Sequence, residues 1–271
     1  MASLFIKKLE RICRKNESLV CVGLDVDMNR IPTFLHDVGE PVLTFNRAII
    51  DATHDLVCAY KLNIAFYEVL GAEGLQQFRK TVDHIPDDVI KIVDAKRGDI
   101  GNTARMYAKS CFEYYGGDAV TASPYLGRDS LQPFLDYEEK CTFVLCLTSN
   151  PGSKDFQYLS LGGKTLYQLV AENVNRWNEK RNCGLVVGAT HPEELKKVRE
   201  IAPELPFLIP GIGAQGGDVG QTVRFGTDKK GERAIINSSR GIIYASAGKD
   251  FADAARAKTK ELREAINTWR S

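Results

Sequence analysis

The chain has 271 residues and a formal net charge of +1 at pH 7. This near-neutral balance argues against a general nucleic-acid binder, which normally carries a clear basic excess. No apolar segment approaches the roughly 20 residues that cross a bilayer, so no membrane partner is expected. The opening MASLFIKKLERICRKN is typical of an amphipathic helix and not of a signal peptide, which predicts a cytoplasmic protein.

The cysteine and histidine patterns give no indication of a metal site. The seven cysteines form no CxxC pair, and most lie inside apolar runs. This favours reduced, buried thiols in a cytosolic protein over disulfides or zinc. The four histidines show no HxxxH or HExxH spacing, so metal ligation by histidine is not expected.

Short apolar runs recur along the chain in a regular series. They are nearly continuous and rich in β-branched residues, which is typical of parallel strands buried on both faces. The eight predicted strands cover residues 19–27, 56–63, 89–96, 118–123, 142–149, 184–190, 207–213 and 234–241.

Segments with helical spacing separate these strands. In PVLTFNRAIIDATHDLV, the spacing places Val42, Phe45 and Ile49 on one face, and Pro41 suits a first helical turn. Eight alternations without a break in composition predict a single TIM (β/α)8 barrel with an N-terminal helix, one domain over residues 1–271. A doubly wound open sheet is the alternative, but it seldom has eight regular repeats.

Polar side chains follow most of the predicted strands. In a TIM barrel the catalytic residues lie at the carboxyl ends of the strands. Each of these side chains, taken alone, could be a surface residue at the start of a loop. Polar residues at the ends of six strands, however, favour a functional site. In strand order the residues are Asp25 and Asp27; Lys61 and Asn63; Asp94, Lys96 and Asp99; Thr148, Ser149 and Asn150; Gln215; and Ser239 and Arg240.

The densest charge lies in IVDAKRGDIGNT, residues 92–103. Asp94 and Lys96 are two positions apart on a predicted strand, so both side chains face the same way, and Lys61 can extend the pair into a row. Burying such charges is costly unless they pair. One interpretation is a purely structural ion-pair network that closes the barrel.

The other interpretation of this charge is catalytic. Opposite charges about 4 Å apart attract by roughly 4 kcal/mol at an effective dielectric near 20, so a crowded row fixes each protonation state. A lysine held in this way is a good proton donor to a carbanion, and an aspartate repels a neighbouring substrate carboxylate. The combination suits loss of carbon dioxide followed by protonation.

The stretch PGIGAQGG contains Gly211, Gly213 and Gly216 in GxGxxG spacing, which alone is a weak signal. The glycine-rich, charged segment after it is unlike the helix that a dinucleotide fingerprint requires. Because barrels often bind phosphate with the loops after strands seven and eight, we expect a phosphate loop that uses Gln215 and Arg240. A surface loop without function is the alternative.

The segments LDVD, KLN, DAKRGDIGNT, TSNPGS, PGIGAQGG and NSSRG occur in this order at the predicted strand ends. Together they resemble the orotidine 5′-phosphate decarboxylases, in particular the longer branch of that family, from about Leu19 to Ala245. The DxKxxD core alone is shared with relatives of other activity. The resemblance implies conversion of orotidine 5′-phosphate to uridine 5′-phosphate, the last step of UMP biosynthesis, by a homodimer without metal or cofactor.

The same resemblance implies roles for individual residues. Lys61, Asp94 and Lys96 belong to a charged tetrad that Asp99 completes from the other subunit. Lys96 protonates C6 of the pyrimidine, and Asp94 lies near the departing carboxylate. The implied substrate contacts are to the ribose (Asp25, Lys61 and, across the dimer interface, Thr103), the pyrimidine (Ser149, with Asn63 lining the site) and the phosphate (Gln215, Arg240 and the Gly241 backbone).

Two alternatives remain open at this point. A metal-dependent sugar-phosphate synthase or decarboxylase of the same superfamily would need further acidic ligands, and Lys61 and Asn63 at the end of strand two disfavour a metal there. A non-catalytic sensor of a phosphorylated nucleotide is the second alternative. The intact tetrad argues against it, because a binding protein has little reason to bury that charge.

Overall fold

The computed structural model describes residues 3–212 and 216–270 of the chain. In chain order the strands are β1 (Val20–Gly23), β2 (Ala59–Asn63), β3 (Ile90–Arg97), β4 (Ala119–Ala122), β5 (Cys141–Leu147), β6 (Ser160–Leu161), β7 (Lys164–Thr165), β8 (Cys183–Val187), β9 (Phe207–Pro210) and β10 (Ala234–Ser238). Eight of them pair in parallel and close into a barrel in the order β1-β2-β3-β4-β5-β8-β9-β10. The predicted (β/α)8 barrel is confirmed.

Apart from α1, the helices come after strands in the chain and cover the outside of the barrel. They are α1 (Leu4–Lys15), α2 (Pro41–Thr53), α3 (Ala65–Glu68), α4 (Gly71–His84), α5 (Gly101–Lys109), α6 (Arg128–Leu135), α7 (Leu166–Trp177), α8 (Pro192–Ile201), α9 (Val219–Gly226), α10 (Arg240–Ile243) and α11 (Phe251–Trp269). Within residues 3–212 and 216–270, no helix combines the length and the apolarity needed to span a bilayer.

Helix α1 lies against the amino ends of the strands, opposite to the strand ends that carry the predicted site. Its N-cap residue Ser3 accepts a hydrogen bond from a backbone N–H of the first turn. Phe5 packs edge-on against Phe143 of β5, and Lys8 pairs with Asp118, the residue before β4, at 2.6 Å. The amphipathic N-terminal helix predicted from the sequence therefore closes the bottom of the barrel.

Most of the predicted strands run past the observed strand ends, and the difference is largest at β1. The sequence predicts a strand over residues 19–27, whereas β1 ends at Gly23. Beyond it, the Tyr244 hydroxyl accepts a hydrogen bond from the Asp27 N–H at 2.7 Å and donates one to the Asp25 carbonyl at 3.2 Å. The Tyr244 side chain, from near the other end of the chain, is thus the hydrogen-bond partner of this backbone in place of a neighbouring strand. Asp25 and Asp27 consequently lie in the loop after β1.

Candidate active site

A cavity of about 400 Å³ opens at the carboxyl ends of the barrel strands. One side of it is polar and the other is apolar. The polar lining comprises Asp25, Asp27, Arg30, Lys61, Asn63, Asp94, Lys96, Thr121, Asn237, Ser239 and Arg240. The apolar lining includes Phe66, Leu145, Val186, Leu208, Pro210 and Ile212.

Alternating charges form a row on the polar side. The Lys61 ammonium lies 3.0 Å from Asp94 Oδ2 and 3.3 Å from Asp25 Oδ1. The Lys96 ammonium lies 2.7 Å from the other oxygen, Oδ1, of Asp94. The sequence-based prediction that Lys61 extends the Asp94–Lys96 pair therefore agrees with the observed contacts.

Burial differs sharply along this row. The side chains of Lys61 and Asp94 are only 6% and 8% exposed, whereas that of Lys96 is 49% exposed. Burial raises the pKa of the Asp94 carboxyl, but the two lysines outweigh it and hold that pKa well below its usual range. Burial likewise opposes the Lys61 ammonium, yet Asp25 and Asp94 raise its pKa above the usual value. Both groups are therefore charged at neutral pH.

Asp94 and Lys96 do not meet through regular strand alternation. β3 pairs with β4 in register up to Val93, and the pairing then shifts so that Arg97 lies opposite Ala122. Lys96 sits inside this irregularity with a φ of +46°, in the left-handed region that side chains other than glycine rarely adopt. The expected contact is present, but a local distortion of the strand produces it.

Asp25 is held from two sides. Its Oδ2 accepts a hydrogen bond from the Ser239 hydroxyl at 2.8 Å, while its Oδ1 faces Lys61. The aromatic ring of Tyr244, whose hydroxyl holds the Asp25 backbone, lies 4.1 Å from the guanidinium of Arg30. The loop after β1 and the loop after β10 are thus tied together at the mouth of the cavity.

Only some of the remaining predicted residues line the cavity. Asn63 and Arg240 line the cavity, as does Gly241. In the described part of the chain, Asp99 and Thr103 are not part of the cavity lining. Asp99 is half-buried, and its carboxylate accepts a hydrogen bond from the Ile100 N–H, whereas Thr103 is exposed on α5. Ser149 is half-buried just after β5, next to Gly188. Gln215 lies outside the described residues.

Sequence reasoning missed several side chains of the site. Thr121 donates a hydrogen bond to Asp94 Oδ1 at 2.8 Å, and Tyr244 and Arg30 shape the cavity mouth. A threonine inside a strand such as AVTA is an ordinary β-former, so only its position at a strand end gives a signal. Arg97, a further basic residue of β3, pairs with Glu68 at 3.1 Å and stacks on the ring of Tyr107.

Asp25 and Asp94, two of the acidic residues that line this cavity, are paired with lysines. The Lys61 ammonium occupies the position between the Asp25 and Asp94 carboxylates, where a metal bridging the two would have to sit. Within residues 3–212 and 216–270, no group of three or more His, Cys, Asp or Glu side chains is arranged to hold a metal ion.

Comparisons with known proteins agree on one family. Residues 18–256 match the family described as Orotidine 5′-phosphate decarboxylase / HUMPS family. The chain is 53% identical over 270 residues to an orotidine 5′-phosphate decarboxylase of Dehalococcoides mccartyi, and the match covers 98% of each chain.

Two solved structures from Leishmania donovani are similar to the barrel. OMP decarboxylase of that organism matches with a TM-score of 0.86 and 41% identity, over 100% of this chain and 99% of that chain. UMP synthase matches with a TM-score of 0.89 and 43% identity. This chain spans only 57% of the length of that second protein, although the match covers 100% of this chain.

The matched region takes in every strand of the barrel and the whole charged row. The prediction of an orotidine 5′-phosphate decarboxylase, which the sequence motifs supported, is confirmed by relatives that match over nearly the full chain. The chain belongs to the orotidine 5′-phosphate decarboxylase / HUMPS family.

Proposed function

We propose that this protein converts orotidine 5′-phosphate to uridine 5′-phosphate and carbon dioxide through its charged row, as the last step of UMP biosynthesis in the cytoplasm. The observation that carries the proposal is the Lys61–Asp94–Lys96 row at the strand ends, buried at Asp94 and open at Lys96. The names of the relatives supply the substrate, and the row supplies the chemistry.

In the proposed reaction the bond between C6 and the carboxylate breaks, and its electron pair stays on C6 as carbon dioxide leaves. A proton from the Lys96 ammonium then forms the new C6–H bond. Asp94, placed near the substrate carboxylate, disfavours the bound ground state and holds Lys96 in position. Enzymes lower barriers by roughly 8–23 kcal/mol, and a decarboxylation without an electron sink requires preorganised charge to reach the upper part of that range.

The substrate's remaining groups fit the rest of the cavity. A volume of about 400 Å³ suits a ligand of nucleotide size, since small-molecule pockets are typically about 300–1,000 Å³. Asp25 and Lys61 hold the ribose hydroxyls, and the apolar side around Leu145 and Val186 faces the pyrimidine, with Asn63 nearby. Arg240 and the Gly241 backbone, together with Gln215, hold the phosphate. Binding the phosphate supplies energy that is used at the distant reacting carbon.

The fourth charge of the site is proposed to come from a second copy of the chain. Asp99 makes no ion pair within the described part of its own chain, and its carboxylate accepts a hydrogen bond from the Ile100 N–H. Exposed apolar side chains occur in the segment that follows it and on the loop after β4. Ile100 and Met106 are 59% and 61% exposed, and Tyr125 on the loop after β4 is 85% exposed. A homodimer that covers this surface would bring Asp99 and Thr103 into the partner's site.

The test of the activity is a spectroscopic assay with orotidine 5′-phosphate in the presence of EDTA. We expect turnover to uridine 5′-phosphate, and a Lys96→Ala variant should bind the product yet be nearly inactive. Binding of the substrate without turnover by the unaltered protein would instead indicate a sensor. Activity on a sugar phosphate that appears only with magnesium would indicate the metal-dependent relative.

The test of the shared site mixes inactive variants. Lys96→Ala and Asp99→Ala homodimers are each expected to be nearly inactive, and random re-association should restore about a quarter of the wild-type activity, because one site in each mixed C2 dimer is intact. The matched control mixes Lys96→Ala with Lys61→Met. Both of those side chains belong to the same subunit's site, so this mixture should recover nothing. Equal recovery in both mixtures, or none in either, would refute the shared site.

A further inference from the structure

Thr121 of β4 lies opposite the irregular end of β3. The reaction described above does not use its side chain. Between the pairs Val93–Val120 and Arg97–Ala122, three residues of β3 face one residue of β4, which is Thr121. A β-bulge that leaves residues of one strand unpaired re-aims side chains and recurs next to active sites. Here Asp94 and Lys96 are both among the residues of β3 that have no register partner on β4.

The hydroxyl of Thr121 makes two contacts within this bulge. It accepts a hydrogen bond from the Lys96 backbone N–H at 2.9 Å and donates one to Asp94 Oδ1 at 2.8 Å. A hydroxyl has one proton to donate and lone pairs to accept, so both contacts can form at once. Thr121 is 1% exposed, and its β-branched side chain has few rotamers available. The two contacts therefore have a fixed geometry.

Both contacts act on the proposed proton donor. The first holds the Lys96 backbone in its left-handed conformation, which persists only where the surroundings enforce it. The second fixes Asp94 Oδ1, the oxygen that the Lys96 ammonium contacts at 2.7 Å. Lys96 is otherwise a long, half-exposed side chain with many rotamers. The buried Thr121 hydroxyl thus positions both the backbone of Lys96, by direct contact, and its ammonium group, through Asp94.

We infer that Thr121 is a positioning residue of the decarboxylation: acting through Asp94 and the Lys96 backbone, its hydroxyl sets where the Lys96 ammonium meets the nascent carbanion. This inference rests on the proposed function. It assigns to Thr121 an effect on the chemical step and little effect on substrate affinity. A purely structural threonine that fills the bulge would alter stability and leave the chemical step unchanged.

The test compares Thr121→Val, which removes the hydroxyl and keeps the branched shape, with Thr121→Ser, which keeps the hydroxyl. The matched control is Thr142→Val on β5, because Thr142 is also fully buried in a barrel strand but its hydroxyl has no hydrogen-bond partner. For each variant, kcat and KM for orotidine 5′-phosphate are measured. Binding-competent sites are counted by titration with uridine 5′-phosphate, so a poorly folded fraction does not enter kcat.

We expect Thr121→Val to lower kcat by about 10²-fold, since small misplacements of a reacting group have effects of that order, with KM changed much less. Thr121→Ser should recover most of kcat, and Thr142→Val should match the wild type. The inference is overturned if Thr121→Val keeps a wild-type kcat, if only KM changes, or if the serine variant is as slow as the valine variant. Failure of the unaltered protein to turn over the substrate would refute the proposed function instead.

Discussion

Replacing Lys61 by methionine removes the cation at the centre of the charged row while keeping a long apolar stem. The ammonium lies 3.0 Å from Asp94 and 3.3 Å from Asp25. At an effective dielectric near 20, each of these contacts corresponds to about 5 kcal/mol of gross attraction. Desolvation of the buried charges offsets most of this attraction.

The net effect on stability is smaller but still large. Removing one partner of a buried pair costs about 3–5 kcal/mol, because the remaining charge stays buried without compensation. Asp94 keeps Lys96 and the Thr121 hydroxyl as partners, so we expect Lys61→Met to lower the free energy of unfolding by about 3 kcal/mol at pH 7. Chemical denaturation measures this difference directly.

The pH dependence of the difference gives a second check. In the wild type the pKa of Asp94 is depressed, so its stabilising contribution is present above the unfolded-state value near 3.9 and is lost as the pH falls below it. Without Lys61, burial and the Asp25 charge shift the pKa of Asp94 upward. The folded variant then retains a proton that the unfolded chain releases. The difference in the free energy of unfolding between the wild type and Lys61→Met should therefore be largest near pH 7 and should become smaller towards about pH 4.

A surface pair provides the control for this experiment. Lys80 contacts Glu40 at 2.7 Å, but both side chains are well exposed. Lys80→Met should change the free energy of unfolding by less than about 1 kcal/mol, because solvent screens exposed pairs. The electrostatic reasoning is refuted if Lys61→Met matches Lys80→Met at pH 7, or if the gap between Lys61→Met and the wild type widens as the pH falls.

Three further predictions concern Ser239, Arg240 and the buried cysteines. Ser239→Ala removes the hydroxyl that donates to Asp25 Oδ2. It should raise KM for orotidine 5′-phosphate by about tenfold, which corresponds to the loss of roughly 1.4 kcal/mol from a hydrogen bond to a charged group. An unchanged KM would contradict a role of Ser239 in holding Asp25 for substrate binding. Arg240→Ala should raise KM for the nucleotide and leave the slow turnover of the nucleoside orotidine unchanged, and equal effects on both would exclude phosphate recognition. All seven cysteines are buried, and burial raises the pKa of Cys146 and of Cys183 to about 12; a thiol reagent at pH 8 should therefore modify none of them until denaturant is added, and rapid labelling of the native protein would be the contrary result.

The barrel is predictable from the sequence because its strands are buried on both faces. Such strands consist of uninterrupted apolar runs, and each of the eight predicted runs contains most or all of one barrel strand. The end of β1 is not predictable in the same way. Its limit depends on the Tyr244 hydroxyl, which accepts a hydrogen bond from the Asp27 N–H and donates one to the Asp25 carbonyl. These two residues lie more than 200 positions earlier in the chain than Tyr244. A periodicity within one segment contains no information about such a partner.

The short hairpin of β6 and β7 also escaped prediction. Its strands have two residues each and no apolar alternation, so the usual strand signal is missing. The signal that was present is the dipeptide Gly162-Gly163, whose φ angles of +60° and +81° suit the tight turn of a two-residue hairpin. In the site, the types of the charged residues were predictable, whereas the left-handed backbone of Lys96 depends on its contact with Thr121 and was not.

The two lysines that contact Asp94 have the same charge but different surroundings, and this difference assigns their tasks. Lys61 is enclosed between two carboxylates, so releasing its proton would leave Asp25 without its cation and Asp94 with Lys96 alone. Lys96 contacts a single oxygen of Asp94 and has half of its side chain open to the cavity. When a proton leaves Lys96, each buried carboxylate of the row still contacts a cation, because Lys61 lies against both Asp94 and Asp25. In the proposed reaction, the row therefore has a fixed charge at its buried end and a transferable proton at its open end.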